Sequence, residues 1–396
     1  MDKEMEKLGN YCKIISGYAF KSTDLANGTE IPVIKIGNIS NGNDVIIDSS
    51  TQYVSKEFLS IDKKYHVKKG DVLISLTGSH INQPNSMVGR SCRNFSDTEY
   101  LLNQRAGKVL PNKNADKNYL YYLLNTESFK YSICNRAYGA ANQANVSPSD
   151  IENIKWDFPS LPIQQKIASI LSTYDNLIQN YKKQIEDLQT CASELYKEWF
   201  VRFRFPGYKT TQFENGIPVG WKVERIGEYC SIKVGGDVPE ENSETKDEKH
   251  KYPIFSNGIN EDGLYGFTDT FKISEPSVSI SARGTVGFVC LRREPYYPIV
   301  RLICLIPKKE IGVFYLYHSL KYADLDGNGT SQQQLTAPMV SKRKIVIAEE
   351  KLIEKFNSNA KVIYDEIDVL RTKISNLTQQ RDLLLPRLMS GKLEVE

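Results

Sequence analysis

The stretch IASILSTYDNLIQNYKKQIEDLQTCASELYKEW, residues 167–199, decides the fold of this chain. Its apolar residues recur at alternating steps of four and three, which is the a and d pattern of a coiled coil. The pattern returns 189 positions later, from Phe356 to Leu388, and only Arg381 breaks the apolar series. These segments predict two long helices that pair with each other. The simpler alternative is two amphipathic helices, each packed only on its own domain.

The predicted pairing seam consists of apolar side chains from both helices. On the first helix they are Ile167, Leu171, Tyr174, Ile178, Tyr181, Ile185, Leu188 and Leu195, and on the second Phe356, Ile363, Ile367, Leu370, Ile374, Leu377, Leu384 and Leu388. A parallel pair would require the intervening domain to bridge about 48 Å of helix, at roughly 1.5 Å per residue. We therefore expect an antiparallel pair.

Three further sequence pairs indicate that the whole chain is duplicated. LGNYCKIISG (8–17) resembles IGEYCSIKVG (226–235), GDVLISLTGS (70–79) resembles EPSVSISARGT (275–285), and GAANQANVSP (139–148) resembles GTSQQQLTAP (329–338). They occur in the same order, and their offset falls from 218 to 206 to 189 residues, as expected when surface loops shorten on a retained frame.

The expected fold class is α+β, with two homologous α/β domains, two long antiparallel helices forming a coiled coil, and internal pseudo-two-fold symmetry. We expect a globular domain at residues 1–158, a central helix at 159–206, a second globular domain at 207–348 and a C-terminal helix at 349–396.

Composition is that of a soluble globular protein, with 40% hydrophobic and 25% charged residues. The net charge of +3 is too small to indicate a nucleic-acid-binding protein by itself. The seven cysteines form no C-x-x-C pair, and neither a secretory signal nor a membrane-spanning run is visible. A cytoplasmic protein with reduced thiols and no membrane association is the expectation.

Motifs for catalysis are missing from the sequence. It contains no G-x-x-x-x-G-K-[ST] phosphate loop, no H-E-x-x-H or clustered Cys/His metal site, and no N-P-P-[YF] signature of an amino-methyltransferase. We therefore expect a non-catalytic binding protein that holds no metal or cofactor of its own.

Loops rich in amide, hydroxyl and arginine side chains recur at equivalent places in the two copies. Such side chains bond base edges and phosphates, although each one alone is more typical of a solvated loop. The candidates for DNA contact are Lys21, Ser79, Asn82, Gln83, Asn85, Arg90, Arg105, Asn142, Gln143 and Asn145 in the first copy, and Arg283, Thr285, Arg301, Ser331, Gln332, Gln333 and Gln334 in the second.

The chain resembles the specificity (S) subunit of Type I restriction–modification systems. The resemblance rests on RDLLLPRLMSGKLEVE (381–396), SPSDIENIKWDFPSLPIQQKIASIL (147–171), LYKEWFVRFRFPG (195–207) and the motifs ISGYAFKS, IPVIKIGNI and GDVLISLTG. It implies two target-recognition domains, each reading one half of a bipartite, asymmetric site on double-stranded DNA. It also implies that the helices set the spacing of the half-sites and dock two methyltransferase (M) subunits.

The same resemblance implies that S-adenosylmethionine, ATP and Mg belong to partner subunits, with restriction (R) subunits completing the complex. KVGGDVPEE in the second copy departs from the family pattern, so its first DNA-facing loop does not follow from the resemblance. Two alternatives are a coiled-coil scaffold that displays two non-DNA-binding domains, and a specificity chain that serves a single-polypeptide or modification-only enzyme without an R subunit.

Overall fold

The computed structural model describes residues 5–26, 30–81, 83–140, 143–323 and 334–395. The chain divides into two compact units, Met1–Lys182 with Thr372–Glu396 and Lys183–Arg371, which we call the first and second unit. The division falls within both long helices, so each unit contains a part of each helix.

In the first unit the strands are β1 (Glu6–Lys7), β2 (Cys12–Ser16), β3 (Ile31–Ile34), β4 (Gln52–Val54), β5 (His66–Val67), β6 (Val72–Ser75), β7 (Thr77–Gly78), β8 (Ser91–Arg93), β9 (Tyr100–Leu102), β10 (Ala106–Pro111), β11 (Tyr138–Ala140), β12 (Gln143–Asn145) and β13 (Lys155–Trp156). The helices are α1 (Lys117–Asn125), α2 (Glu127–Cys134), α3 (Pro148–Glu152) and α4 (Leu161–Tyr196), which runs on into the second unit and ends in a π-helical turn, Lys197–Val201.

The second unit has strands β14 (Phe213–Glu214), β15 (Ile217–Pro218), β16 (Lys222–Arg225), β17 (Cys230–Val234), β18 (Tyr252–Phe255), β19 (Leu264–Thr268), β20 (Ser277–Ile280), β21 (Val289–Arg292), β22 (Tyr297–Pro298), β23 (Ile303–Pro307) and β24 (Lys344–Ile347). Its helices are α5 (Ile226–Tyr229), α6 (Val313–Tyr322), α7 (Ala337–Ser341) and α8 (Glu350–Met389), which continues into the first unit.

The strand order shows that the two units are copies of one fold. A four-stranded antiparallel sheet has the order β2-β10-β6-β8 in the first unit and β17-β23-β20-β21 in the second. A second sheet contains a parallel pair in each unit, β3 with β9 and β18 with β22. A two-stranded pair joins β1 to β13 and β16 to β24. The predicted duplication and α+β fold class are confirmed.

The central strand β6 is buried on both faces, which explains its continuous apolar run. Val72 and Ile74 belong to a core shared with α1 and α2, whereas Leu73 belongs to a separate core with Cys92 and Leu102. Residues 117–134 form two helices and not one, because Thr126 ends α1 and caps α2 by accepting a hydrogen bond from the N–H of Phe129.

A glycine is required at the end of the first strand of each four-stranded sheet. A β-carbon at Gly17 would lie 2.3 Å from the carbonyl oxygens of Leu102 and Asn103, and one at Gly235 would lie 2.7 Å from that of Ile299. Backbone therefore passes where a side chain would stand. This close approach explains why Gly17 and Gly235 match in the sequence repeat.

In the first unit, the α4 and α8 segments run antiparallel. Asp175 bonds to Arg381, and the Lys373 ammonium lies over the Tyr181 ring. Leu171 and Leu388 are both fully buried in one apolar core with α1. The helix segments therefore pack on each other as well as on the globular part of the unit, so the predicted antiparallel pairing is confirmed and packing on the domain alone is wrong.

In the second unit, Phe356 of α8 is the centre of an aromatic cluster. Its ring contacts those of Tyr196, Trp199 and Phe200 at the end of α4, and those of Tyr315 and His318 on α6. Across both units, every residue of the predicted seam is buried or partly buried.

A buried polar contact on the long helices differs between the units. In the first unit the hydroxyl of Tyr122 on α1 donates to Asp175 at 2.6 Å. The matching residues of the second unit are His318 on α6 and Tyr364 on α8, whose polar atoms lie 3.2 Å apart. Burial lowers the pKa of His318 to about 3, so this imidazole is neutral at physiological pH.

Candidate nucleic-acid interface

Three polar side chains meet in the first unit, just beyond the end of β6 and just before the start of β10. The amide oxygen of Asn145 accepts a hydrogen bond from the hydroxyl of Thr77 at 2.8 Å and one from Nη1 of Arg105 at 3.2 Å. Two donors at one oxygen fix the orientation of the amide. An oriented amide beside a guanidinium is the kind of donor and acceptor set that reads base edges.

The second unit carries a related contact in which Nη2 of Arg283 donates to the amide oxygen of Gln334 at 3.2 Å. Gln334 is exposed, and Arg283 is partly buried. Nε of Arg283 is buried and has no hydrogen-bond partner among the described residues. The Gln334 amide oxygen therefore holds the Arg283 guanidinium beside an exposed amide.

The strand registers place these contacts at equivalent positions. Val72 pairs with Val109 in the first unit, and Val278 pairs with Leu305 in the second. Counting from these pairs, Arg105 matches Arg301, and Thr77 matches Arg283.

The amide residues match as well. The N–H of Val146 bonds to the carbonyl of Leu76, and that of Leu335 bonds to the carbonyl of Ala282. Asn145 and Gln334 therefore occupy one position in the two copies. Two residues further on, Ser147 and Thr336 both cap a short helix with their hydroxyls, which accounts for the third sequence repeat.

Two candidate residues of the first copy bond within the protein. Ser79 is 3% exposed, and its hydroxyl donates to the carbonyl of Gln83 at 2.7 Å. Nη2 of Arg90 donates to the carbonyl of Ile36 at 3.1 Å, and burial lowers the pKa of Arg90. Both side chains therefore hold loops in place, which separates them from the exposed candidates.

The exposed candidates are Lys21, Gln83, Arg105, Gln143, Thr285, Arg301 and Gln334. Asn82, Asn142, Ser331, Gln332 and Gln333 lie outside the described residues, as does the side chain of Asn85. The structure thus brings Arg105 together with Asn145, and Arg283 together with Gln334, and these two contacts define the candidate interface.

The sequence analysis did not include two residues of the candidate interface. Thr77 matches Arg283 in the repeat alignment, so the alignment itself contained a signal for it. Tyr138 is 61% exposed and pairs with Asn145 across the β11–β12 ribbon. An exposed aromatic ring beside polar base-reading groups is suited to stacking or van der Waals contact with a nucleotide.

The described part of the chain contains no cluster of His, Cys, Asp or Glu suited to a metal ion. Within the same residues, no helix is both long and apolar enough to cross a bilayer.

Comparison with known proteins gives one consistent family. A profile of the Type I restriction modification DNA specificity domain matches residues 1–190 and again residues 218–384. A Type I restriction enzyme specificity subunit of Methanocaldococcus jannaschii is 26% identical, over 74% of this chain and 73% of its own length. A relative in Mycoplasma pneumoniae is 28% identical over 64% of this chain, and the alignment spans 66% of that relative.

The fold is also that of a solved structure. The crystal structure of a Type I restriction–modification S subunit from M. genitalium covers 98% of this chain with a TM-score of 0.56 and 18% identity. The match covers 96% of that chain, so the similarity extends over both units.

Proposed function

The chain belongs to the Type I restriction modification DNA specificity domain family, and from this membership we propose that it selects the DNA sequence on which a Type I restriction–modification complex acts. Each unit reads one half of a bipartite, asymmetric duplex site. The long helices set the gap between the half-sites and dock two methyltransferase subunits.

The observation that carries this proposal is the matched pair of polar contacts in the two units. Asn145 and Gln334 occupy one position of the repeated fold, and each accepts a hydrogen bond from a neighbouring donor. The donor position itself differs, with Thr77 in one unit and Arg283 in the other. A repeated frame with different polar groups at one place is suited to reading two different half-sites.

Partner subunits supply the chemistry of the complex. We expect S-adenosylmethionine to bind the methyltransferase subunits, which methylate adenine, and ATP with Mg to serve restriction subunits. This chain would then act as the non-catalytic component of a cytoplasmic complex. Its own contribution is binding free energy and the choice of sequence.

A domain exchange tests the proposal. Residues 207–348 are replaced by the matching segment of a relative, the chain is assembled with its methyltransferase partner, and methylated adenines are mapped in the product DNA. One half-site is expected to change, while the other half-site and the gap stay the same. Inserting four residues into each long helix should widen the gap and leave both halves unaltered. Methylation without a two-part motif, or a change in both halves, would contradict the proposal.

A further inference from the structure

The two units differ in the hydrogen bond that the backbone makes just beyond the end of the central strand, β6 or β20. In the first unit the N–H of Leu76, just beyond β6, donates directly to the carbonyl of Arg105 at 2.9 Å. In the second unit the matching N–H, that of Ala282, donates to Oδ1 of Asn257 at 2.7 Å. A side chain therefore replaces a direct backbone hydrogen bond at this place.

Asn257 bonds the opposite strand as well. Its Nδ2 donates to the carbonyl of Val300 at 2.6 Å, just before β23. One amide thus joins the backbone beside Arg283 to the backbone beside Arg301. The first unit has Ile36 at the matching position, two residues after a strand in the same parallel pairing. An isoleucine side chain cannot make either bond.

The backbone at Val300 and Arg301 is strained. Their φ angles are +50° and +60°, in the left-handed region that a β-branched residue such as valine rarely adopts. Val300 is 43% exposed, so burial of its side chain does not offset the strain. The N–H groups of Val300 and Arg301 donate to the carbonyls of Gly236 and Gly235 at 2.8 and 3.0 Å, and these bonds, with that of Asn257, hold the conformation.

Strain of this kind persists where the surroundings fix it, and it is concentrated at functional sites. Arg301 is exposed to solvent, and it lies in the backbone segment that Asn257 joins to the segment of Arg283. The planar guanidinium fork of arginine matches the O6 and N7 acceptors of guanine in the major groove. At the matching positions the first unit has one arginine, Arg105, and the hydroxyl of Thr77.

We infer that Asn257 is a positioning residue that sets Arg283 and Arg301 as a pair of guanine-reading side chains, so that the half-site of the second unit contains guanine. The inference rests on the proposed function and adds to it the chemistry of one half-site. The first unit lacks both the bridging amide and the second arginine, and it reads its half-site with the Asn145 amide and Arg105.

The test uses the full chain assembled with its methyltransferase subunits. The complex selects duplexes from a library that is randomised at both half-sites, and the half-site of the second unit is identified by the domain exchange described above. The variants are Asn257→Ala, Asn257→Asp, Arg283→Gln and Arg301→Gln. Asn257→Asp keeps the acceptor for the Ala282 N–H and removes the donor to Val300.

Asn357→Ala is the matched control. This asparagine lies in the same unit and also bridges backbone groups, since its Oδ1 accepts from the N–H of Tyr315 and its Nδ2 donates to the carbonyl of Ile311. It is at the α6–α8 contact and not beside the arginines. Both Asn257→Ala and Asn357→Ala should therefore lose stability, because each breaks hydrogen bonds to backbone groups. Only Asn257→Ala should change the sequence preference.

The expected result is that each arginine variant lowers the preference for one guanine by about 5- to 150-fold. Asn257→Ala should weaken the preference at both guanines, Asn257→Asp should do so less strongly, and Asn357→Ala should leave the preference unchanged. The half-site of the first unit should be the same in every variant.

Three results would overturn the inference. They are a second-unit half-site without guanine, unchanged preferences in Asn257→Ala, and arginine variants that weaken binding equally on all sequences, as phosphate contacts would. A wild-type complex with no two-part preference would overturn the proposed function together with it. A two-part preference that lacks guanine in this half would overturn the inference alone.

Discussion

Arg381 donates to Asp175 at 2.8 Å, so the one charged residue in the predicted seam has a buried carboxylate as its partner. Asp175 is 3% exposed and also accepts from Arg93 at 3.0 Å. Burial alone would lower the pKa of Arg381, but its hydrogen bond and charge interaction with Asp175 outweigh this and raise it. The break in the apolar series is therefore compensated within the fold.

Asp175→Ala should strongly destabilise the first unit, because it leaves Arg93 and Arg381 without their shared carboxylate. Removing one partner of a buried ion pair costs about 3–5 kcal/mol. The free energy of unfolding can be measured by urea denaturation followed by circular dichroism. Asp187→Ala on the same helix is the control, since its pair with Lys183 is two-thirds exposed and is expected to contribute less than about 1 kcal/mol. Equal losses in the two variants would show that Asp175 has no special role.

Phe356→Ala should destabilise the second unit, because this fully buried ring is the centre of the aromatic cluster of α4, α6 and α8. A large-to-small change of this kind costs about 3–5 kcal/mol. Val362→Ala on the same helix is the control, because that side chain is 69% exposed and its loss should cost within about 0.5 kcal/mol. Calorimetric melting would reveal the difference as a lower transition temperature for Phe356→Ala only.

His318 should make the second unit acid-sensitive. Its pKa is lowered by burial from 6.5 to about 3 in the fold, so between these values the unfolded chain binds a proton that the folded chain does not. The contribution is fully present above pH 6.5 and is lost as the pH falls towards 3. At pH 5 the loss is about 2 kcal/mol relative to pH 7. Urea midpoints at the two pH values should differ less in His318→Gln than in the wild type. An equal difference would mean that His318 is protonated in the fold.

Gly17→Ala should destabilise the first unit by about 2–3 kcal/mol, because the new methyl group would overlap the carbonyls of Leu102 and Asn103. Gly37→Ala is a matched control, since a β-carbon there has no heavy atom within 4 Å. The free energies of unfolding of the two variants, measured by chemical denaturation, compare the same substitution with and without a steric clash. A Gly17→Ala chain as stable as Gly37→Ala would contradict the close approach of the backbone.

Asn145→Asp should weaken DNA binding by the assembled complex. The carboxylate keeps an acceptor for Thr77 and Arg105. It also adds a negative charge to the surface that, on the proposed function, faces the DNA phosphates. We expect affinity to fall about 5- to 150-fold, less at high salt because of screening. Asn153→Asp, at the exposed end of α3, makes the same charge change away from the interface. Fluorescence anisotropy with the duplex found in the methylation experiment measures both, and equal losses would indicate a general charge effect.

Periodicity was sufficient to predict the long helices and the repeat. The spacing of apolar residues from Ile167 to Leu195 is the 3.5-residue repeat of a coiled coil. The match of Gly17 with Gly235 in the repeat reflects a close backbone contact that both units make. Sequence spacing could not predict that Asp175 neutralises Arg381. The two are 206 residues apart, and Asp175 lies next to the seam position Tyr174 instead of on it.

The candidate interface was predictable only in part. Glycines followed by repeated amide residues indicated the region of Asn145 and Gln334, because these residues recur at matching places in the sequence repeat. The two backbone hydrogen bonds of Asn257 were not predictable, since they require one side chain to reach two segments that are distant in sequence. A burial pattern of period two carries no information on such bridges.

The first unit is built from two separate segments of the chain, and this has a consequence for synthesis on the ribosome. Its core contains Leu388, and Leu384, Leu385 and Met389 pack against it, so residues translated after the whole second unit complete a core begun by Leu8. The second unit is one continuous segment, Lys183–Arg371, and all its residues have been made before residue 372 is added. The part of the protein that emerges first is thus completed last. Until this end of α8 has been made, the nascent chain has an apolar face of α4 without its partner helix. A stop codon that removes the final two turns of α8 should therefore leave the first unit aggregation-prone while the second unit still folds.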